Sequence, residues 1–129
     1  MKYYIEKTLN TDFETAVSKT KEALKKEGFG ILSEINIHEK LKEKLNVDFR
    51  KYRILGACHP PLAHQALQME NKIGTMLPCN VIVQQLDDNK VEIAAVDPSA
   101  SMQAVESEEL SELAKKVKEK LKTVISNIS

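Results

Sequence analysis

Two cysteines, each next to a proline, are the side chains in this sequence with the clearest chemical potential. Cys58 lies in the segment LGACHPPLAH and Cys79 in the segment LPCN. A thiolate is both a nucleophile and a redox group, and a helix that begins directly after a cysteine lowers the pKa of its thiol. Residues 61–70 are predicted to form such a helix because proline is tolerated in a helix's first turn. Cys58 is therefore a candidate catalytic residue.

Three roles for these thiols remain open from the sequence. Cysteine packs well as a small buried hydrophobe, it can face a ligand in a pocket, and it can bind metal together with histidine. A zinc site normally shows two closely spaced ligand pairs, and the chain has no CxxC motif. His59 and His64 lie five residues apart, whereas two ligands on one helical face need a spacing of four. No metal site is predicted.

Composition excludes several classes of partner. The 129 residues include 19 Lys and Arg against 19 Asp and Glu, so the formal net charge is zero and nucleic acid is not an expected partner. No apolar run is long enough to cross a membrane, and no signal peptide follows Met1. A cytoplasmic protein with free thiols, folded as a single domain over residues 1–129, is the expectation.

Hydrophobic periodicity predicts an alternation of strands and helices. Thr11 and Glu14 are expected to form a capping box at the start of the first helix. Leu110, Leu113, Ala114, Val117 and Leu121 begin the apolar stripe of a long C-terminal helix. The predicted strands cover 3–8, 29–37, 52–57, 79–86 and 91–96, and the predicted helices 11–28, 38–46, 61–70 and a final segment reaching Ile128. This order indicates an α+β fold with a mostly antiparallel sheet and helices on one face.

Three motifs resemble the bacterial and archaeal domain-of-unknown-function family 302. They are LGACHPPLA with Ala66 and Leu67, IGTMLPCNV, and AVDP at residues 95–98. The resemblance implies a curved antiparallel sheet like half of a TATA-box-binding protein, a long C-terminal helix and a homodimer, with no established activity. The family pattern has Asn in place of His59 and Tyr in place of His64, so the resemblance implies that neither histidine is essential to a shared mechanism.

These observations favour a domain that binds a small molecule in a cleft near the two cysteine motifs. The candidate ligand-binding residues are Cys58, His59, Cys79, Asn80 and Asp97. A thiol-dependent enzyme or redox sensor using Cys58 is the alternative, and a homodimeric interaction module is another. The strand 79–86 carries few charges to protect it as an edge, so a second copy is expected to cover it by strand pairing or by face-to-face packing. The sequence identifies no cofactor and leaves enzymatic activity undecided.

Overall fold

A five-stranded antiparallel sheet organises the molecule. The structure, a computed structural model, describes residues 2–129. The strands are β1 (Tyr4–Leu9), β2 (Gly30–Asn36), β3 (Tyr52–Cys58), β4 (Cys79–Asp87) and β5 (Lys90–Val96), in the order β1-β5-β4-β3-β2. The helices are α1 (Phe13–Lys26), α2 (Ile37–Leu45), α3 (Pro60–Met69), α4 (Pro98–Ser101) and α5 (Glu108–Asn127), with a short 3₁₀-helix at Ile73–Met76. The predicted α+β class is confirmed.

One face of the sheet is covered by α1 and α5. The strand residues on this covered face are fully or almost fully buried, as Leu55, Val83 and Ile93 show. Alternate residues point to the opposite, open face, because successive side chains in a strand point to opposite sides. There Ile54 and Ile82 are half-buried, and Asn80 and Ile35 are exposed. The helices are therefore packed on one face, as the periodicity indicated.

The apolar stripe of α5 serves two separate clusters. Its C-terminal half, from Leu121 onward, packs with α1 and the sheet in the main core, together with Ile128, which directly follows the helix. Its N-terminal half contributes Leu110, Leu113 and Ala114 to a second cluster, which also contains Ala66 and Ile73. The sequence suggested one continuous layer over the sheet. The division of the stripe leaves room for a cavity between the two clusters.

Three local expectations are wrong. Asp12, not Thr11, precedes α1, and Glu14 does not close a capping box but faces Arg53 of β3, with Nη–Oε distances of 3.2 and 3.0 Å. Helix α3 begins at Pro60, one residue before the expected start. Strand β4 is central in the sheet and not an edge, since β3 and β5 pair with it on either side.

Candidate functional site

An apolar pocket of about 340 Å³ lies where β3 ends and β4 begins. One wall is α3 with the 3₁₀-helix that follows it, and the facing wall is the start of α4 and the N-terminal half of α5. Both cysteines line it. Most of the remaining lining side chains are aliphatic: Leu32, Ala57, Leu62, Ala63, Ala66, Leu67, Leu77, Leu110, Leu113, Ala114 and Val117, together with Phe29, Pro78, Pro98 and Met102.

Strand pairing brings the two cysteines close together. Ala57 is the register partner of Cys79, and Cys58 is the next residue of β3. Consecutive Cα atoms are about 3.8 Å apart and paired ones about 5 Å, so the two cysteine Cα atoms are separated by less than about 9.5 Å. Both thiols are free. Burial, together with the charge that Cys58 acquires when ionised, raises the pKa of Cys79 to about 11, so Cys79 is a neutral thiol at pH 7.

The start of α3 is poor in donors for a thiolate. Pro60 and Pro61 occupy its first two positions and carry no N–H, and the Ala63 N–H donates to the His59 carbonyl oxygen over 2.9 Å. A helix ordinarily directs several free N–H groups at an anion placed before it, and here prolines remove two of them. The start of α3 therefore offers fewer free N–H groups beside Cys58 than a helix without prolines would.

His59 is part of the pocket wall, held in the neutral state. Its ring packs edge-on against Phe29 with 5.5 Å between centroids, and Nδ1 is buried with no hydrogen-bond partner among residues 2–129. Burial and the nearby charge of Lys120 lower the pKa of His59. Gly28, with a φ of +87°, leaves space for the ring, since a Cβ there would lie 3.1 Å from Nε2. The ring adds bulk to the wall without adding charge.

Two of the candidate residues do not line the pocket. Asn80 pairs with Gly56 and is exposed on the open face, so it points away from Cys79. Asp97 is 7% exposed and precedes α4, where its Oδ1 accepts from the Ser99 N–H and hydroxyl over 3.0 and 2.7 Å. Its Oδ2 lies 3.1 Å from Lys118 Nζ. Asp97 thus fixes the start of α4 and positions Pro98, which does line the pocket.

The sequence indicated this site incompletely. Phe29 directly precedes β2 and Leu32 lies on it, while Met102 and the first half of α5 form the far wall. None of these residues was a candidate. In the sequence, these apolar residues are indistinguishable from residues of the hydrophobic core. Only the division of the α5 stripe into two clusters shows that they line a pocket. Among residues 2–129, no group of three or more His, Cys, Asp or Glu side chains is placed to hold a metal ion. In the same described part of the chain, no helix is long and apolar enough to cross a membrane.

Comparison with known proteins places this architecture in a known group. Residues 5–128 match the family model described as "Domain of unknown function DUF302". The chain is also similar to the crystal structure of an uncharacterized conserved DUF302 protein from Bacillus stearothermophilus. The TM-score is 0.92 at 26% identity, with 100% of both chains covered. No curated protein matches the chain.

Proposed function

The chain belongs to the DUF302 family, and from that premise we propose that it binds an uncharged, largely apolar small molecule in the pocket beside Cys58 and Cys79. The observation that carries this proposal is a cavity of about 340 Å³ lined mainly by aliphatic side chains. Small-molecule sites are typically concave and apolar with few polar groups. This volume lies at the lower end of the range of about 300–1,000 Å³ that is typical of small-molecule sites, so the cavity suits a compact ligand.

The titratable groups of the pocket favour an uncharged ligand. The lowered pKa of His59 and the raised pKa of Cys79 both keep these side chains neutral at pH 7. A charged ligand would therefore lose its hydration without gaining an ionic partner inside the pocket. The start of α3 favours binding over the alternative of thiol catalysis. Nucleophilic chemistry needs a thiolate, and the first two residues of α3 are prolines, which have no N–H groups to stabilise one.

We expect a small aromatic probe to bind the pocket. For 1-aminonaphthalene, burial of roughly 220 Å² of apolar surface at about 25 cal/mol per Å² corresponds to a dissociation constant on the order of 0.1 mM. Titration followed by probe fluorescence measures it. Ala63→Phe, which fills the pocket from α3, is expected to weaken binding at least 10-fold. Gln65→Phe adds the same ring to an exposed position of α3 and is expected to leave binding unchanged.

The outcomes of this titration separate the proposals. If naphthalene-1-sulfonate, which is charged, binds as tightly as 1-aminonaphthalene, the uncharged ligand class is wrong. If neither probe binds, or if both substitutions weaken binding equally, the pocket is not the site. Rapid alkylation of Cys58 by iodoacetamide near neutral pH, with no probe binding, would instead support the thiol-dependent alternative.

We also propose that the chain forms a homodimer through the open face of the sheet. A row of apolar residues crosses four strands there in direct register: Ile35 pairs with Ile54, Ile54 with Ile82, and Ile82 with Ala94. Polar side chains flank the row, with Tyr52, Gln84 and Glu92 on one side and Ser33 and Asn80 on the other. An apolar centre with a polar rim is the arrangement of a protein interface.

The size of this face suits a second copy of the chain. Five strands about 4.8 Å apart, each about six residues long at about 3.3 Å per residue, give a projected area of roughly 480 Å². Two such faces bury on the order of 1,000 Å², which is the lower limit for a specific interface. A two-fold axis between the copies places the same apolar row on both sides, since two-fold interfaces use one surface twice.

Light scattering tests the dimer directly. At about 50 μM, we expect a mass twice the 14.5 kDa of the monomer. Ile82→Lys places a charge in the centre of the row and is expected to give the monomer mass with an unchanged circular dichroism spectrum. Met69→Lys changes an exposed apolar residue of α3, in the helical layer, and is expected to leave the dimer intact. A wild-type chain that stays monomeric contradicts the proposal, as does a dimer that Ile82→Lys leaves unchanged.

A further inference from the structure

The two walls of the pocket are attached to the rest of the molecule in different ways. Polar interactions fix the wall that begins at Asp97. This residue bridges Ser99 and Lys118, and its N–H donates to the Tyr3 carbonyl oxygen over 2.8 Å. Directional contacts therefore hold the start of this wall to Tyr3 and to Lys118 of α5.

The opposite wall, residues 60–77, has no such attachment. Among residues 2–129, its hydrogen bonds to groups outside the segment are limited to the bond between the Ala63 N–H and the carbonyl oxygen of neighbouring His59, and it takes part in no ion pair. Pro60, the first residue of this wall, and Pro78, which directly follows it, lack N–H groups. Ala66 and Ile73, with partly buried apolar neighbours, attach it to Met102 and α5.

We propose that residues 60–77 are a lid that moves away from α5 to admit the ligand and closes on it. This inference rests on the proposed binding function. Opening the lid breaks its apolar contacts with α5. Because apolar contacts are non-directional, contacts with an apolar ligand can take their place when the lid closes over the ligand. Because opening breaks no hydrogen bond to the sheet or to α5, this segment can open while the core stays folded. Two large apolar side chains of the lining are exposed, Leu32 on β2 at 68% and Leu67 on the lid at 43%, and they mark the rim of the pocket.

Hydrogen exchange followed by mass spectrometry tests the lid in the free protein. Amides of residues 62–77 are expected to exchange at least 10-fold faster than those of the second half of α5. Ile73→Ala removes a side chain that is 1% exposed and that anchors the lid. It is expected to accelerate exchange in 62–77 at least 10-fold further while exchange in the sheet is unchanged.

A core substitution provides the matched control. Val83→Ala removes a fully buried side chain of β4 and is expected to accelerate exchange throughout the chain. If Ile73→Ala also accelerates exchange uniformly, residues 60–77 open only when the whole domain unfolds, and the lid is overturned. Exchange in 62–77 that is as slow as in α5 of the free protein overturns it as well.

The probe separates the lid from the binding function. Saturating 1-aminonaphthalene is expected to slow exchange in 62–77 at least 10-fold and to change residues 98–107 less. If the probe binds by fluorescence but does not slow exchange in 62–77, the binding function is supported and the lid is overturned. Fast exchange of the lid in a protein that binds no probe overturns the binding function, and with it the role of the movement in ligand entry.

Discussion

Gly56→Ala is expected to destabilise the protein by about 2–3 kcal/mol, the cost of overpacking a close contact. A Cβ on Gly56 would lie 2.8 Å from Pro78 Cγ and closer still to the Ser33 hydroxyl. The Ser33 side chain can rotate away, but the Pro78 ring is fixed to the backbone next to Cys79. Relief of the contact therefore requires the start of β4 to move. Urea denaturation, with the change in free energy of unfolding taken from the midpoint, measures the effect.

Gly30→Ala is the matched control for this substitution. Gly30 is also a strand glycine, but a Cβ at that position meets no atom within 4 Å. Its replacement is expected to change the free energy of unfolding by less than about 0.5 kcal/mol. Equal effects of the two substitutions would show that contact with Pro78 does not explain the role of Gly56. The start of β4 would then not depend on this close approach.

Most elements were predictable because their signals are local. Alternation along β5, the turn at Asp88 and Asn89 and the stripe of α5 are each visible within a short window of sequence. The capping box failed because α1 begins one residue later than expected: Glu14 lies only two residues after the N-cap Asp12, and it faces Arg53, which is 39 residues away. The central place of β4 depends on pairing with β3 across α3, and no local pattern encodes the order of strands.

The candidate site was partly predictable for a similar reason. Cys58, His59 and Cys79 were found because their types stand out, and the structure places all three on the pocket. Asn80 was grouped with Cys79 although neighbouring residues in a strand point to opposite faces, so the predicted strand already argued against a shared site. The aliphatic walls remained hidden because a pocket-lining leucine and a core leucine have the same sequence signal.

Asp97→Ala is expected to destabilise the protein by about 3 kcal/mol, since it removes both a helix cap and the partner of Lys118. Asp97→Asn keeps a cap acceptor for Ser99 but loses the ion pair, and a loss of about 1–2 kcal/mol is expected. Lys122→Met breaks the exposed contact of Lys122 with Glu119, 3.8 Å apart, and is expected to cost less than about 0.5 kcal/mol. Urea denaturation at pH 7 measures all three. An effect of Asp97→Ala as small as that of Lys122→Met would contradict this account of Asp97.

The pH dependence identifies the ionised carboxylate as the stabilising form. Burial opposes ionisation of Asp97, but hydrogen bonds from Ser99 and Lys118 and the charge of Lys118 outweigh it and hold the pKa below its ordinary value of 3.8. A carboxyl group with a lowered folded-state pKa contributes stability that is complete above its unfolded-state pKa and is lost as pH falls through the folded-state pKa. The wild type and Asp97→Asn should therefore differ by a constant amount at neutral pH and converge below about pH 4. A difference that persists at pH 2 would show that geometry, and not charge, fixes the start of α4. Residues 98–102 of the pocket wall would then keep their position whether or not Asp97 is ionised.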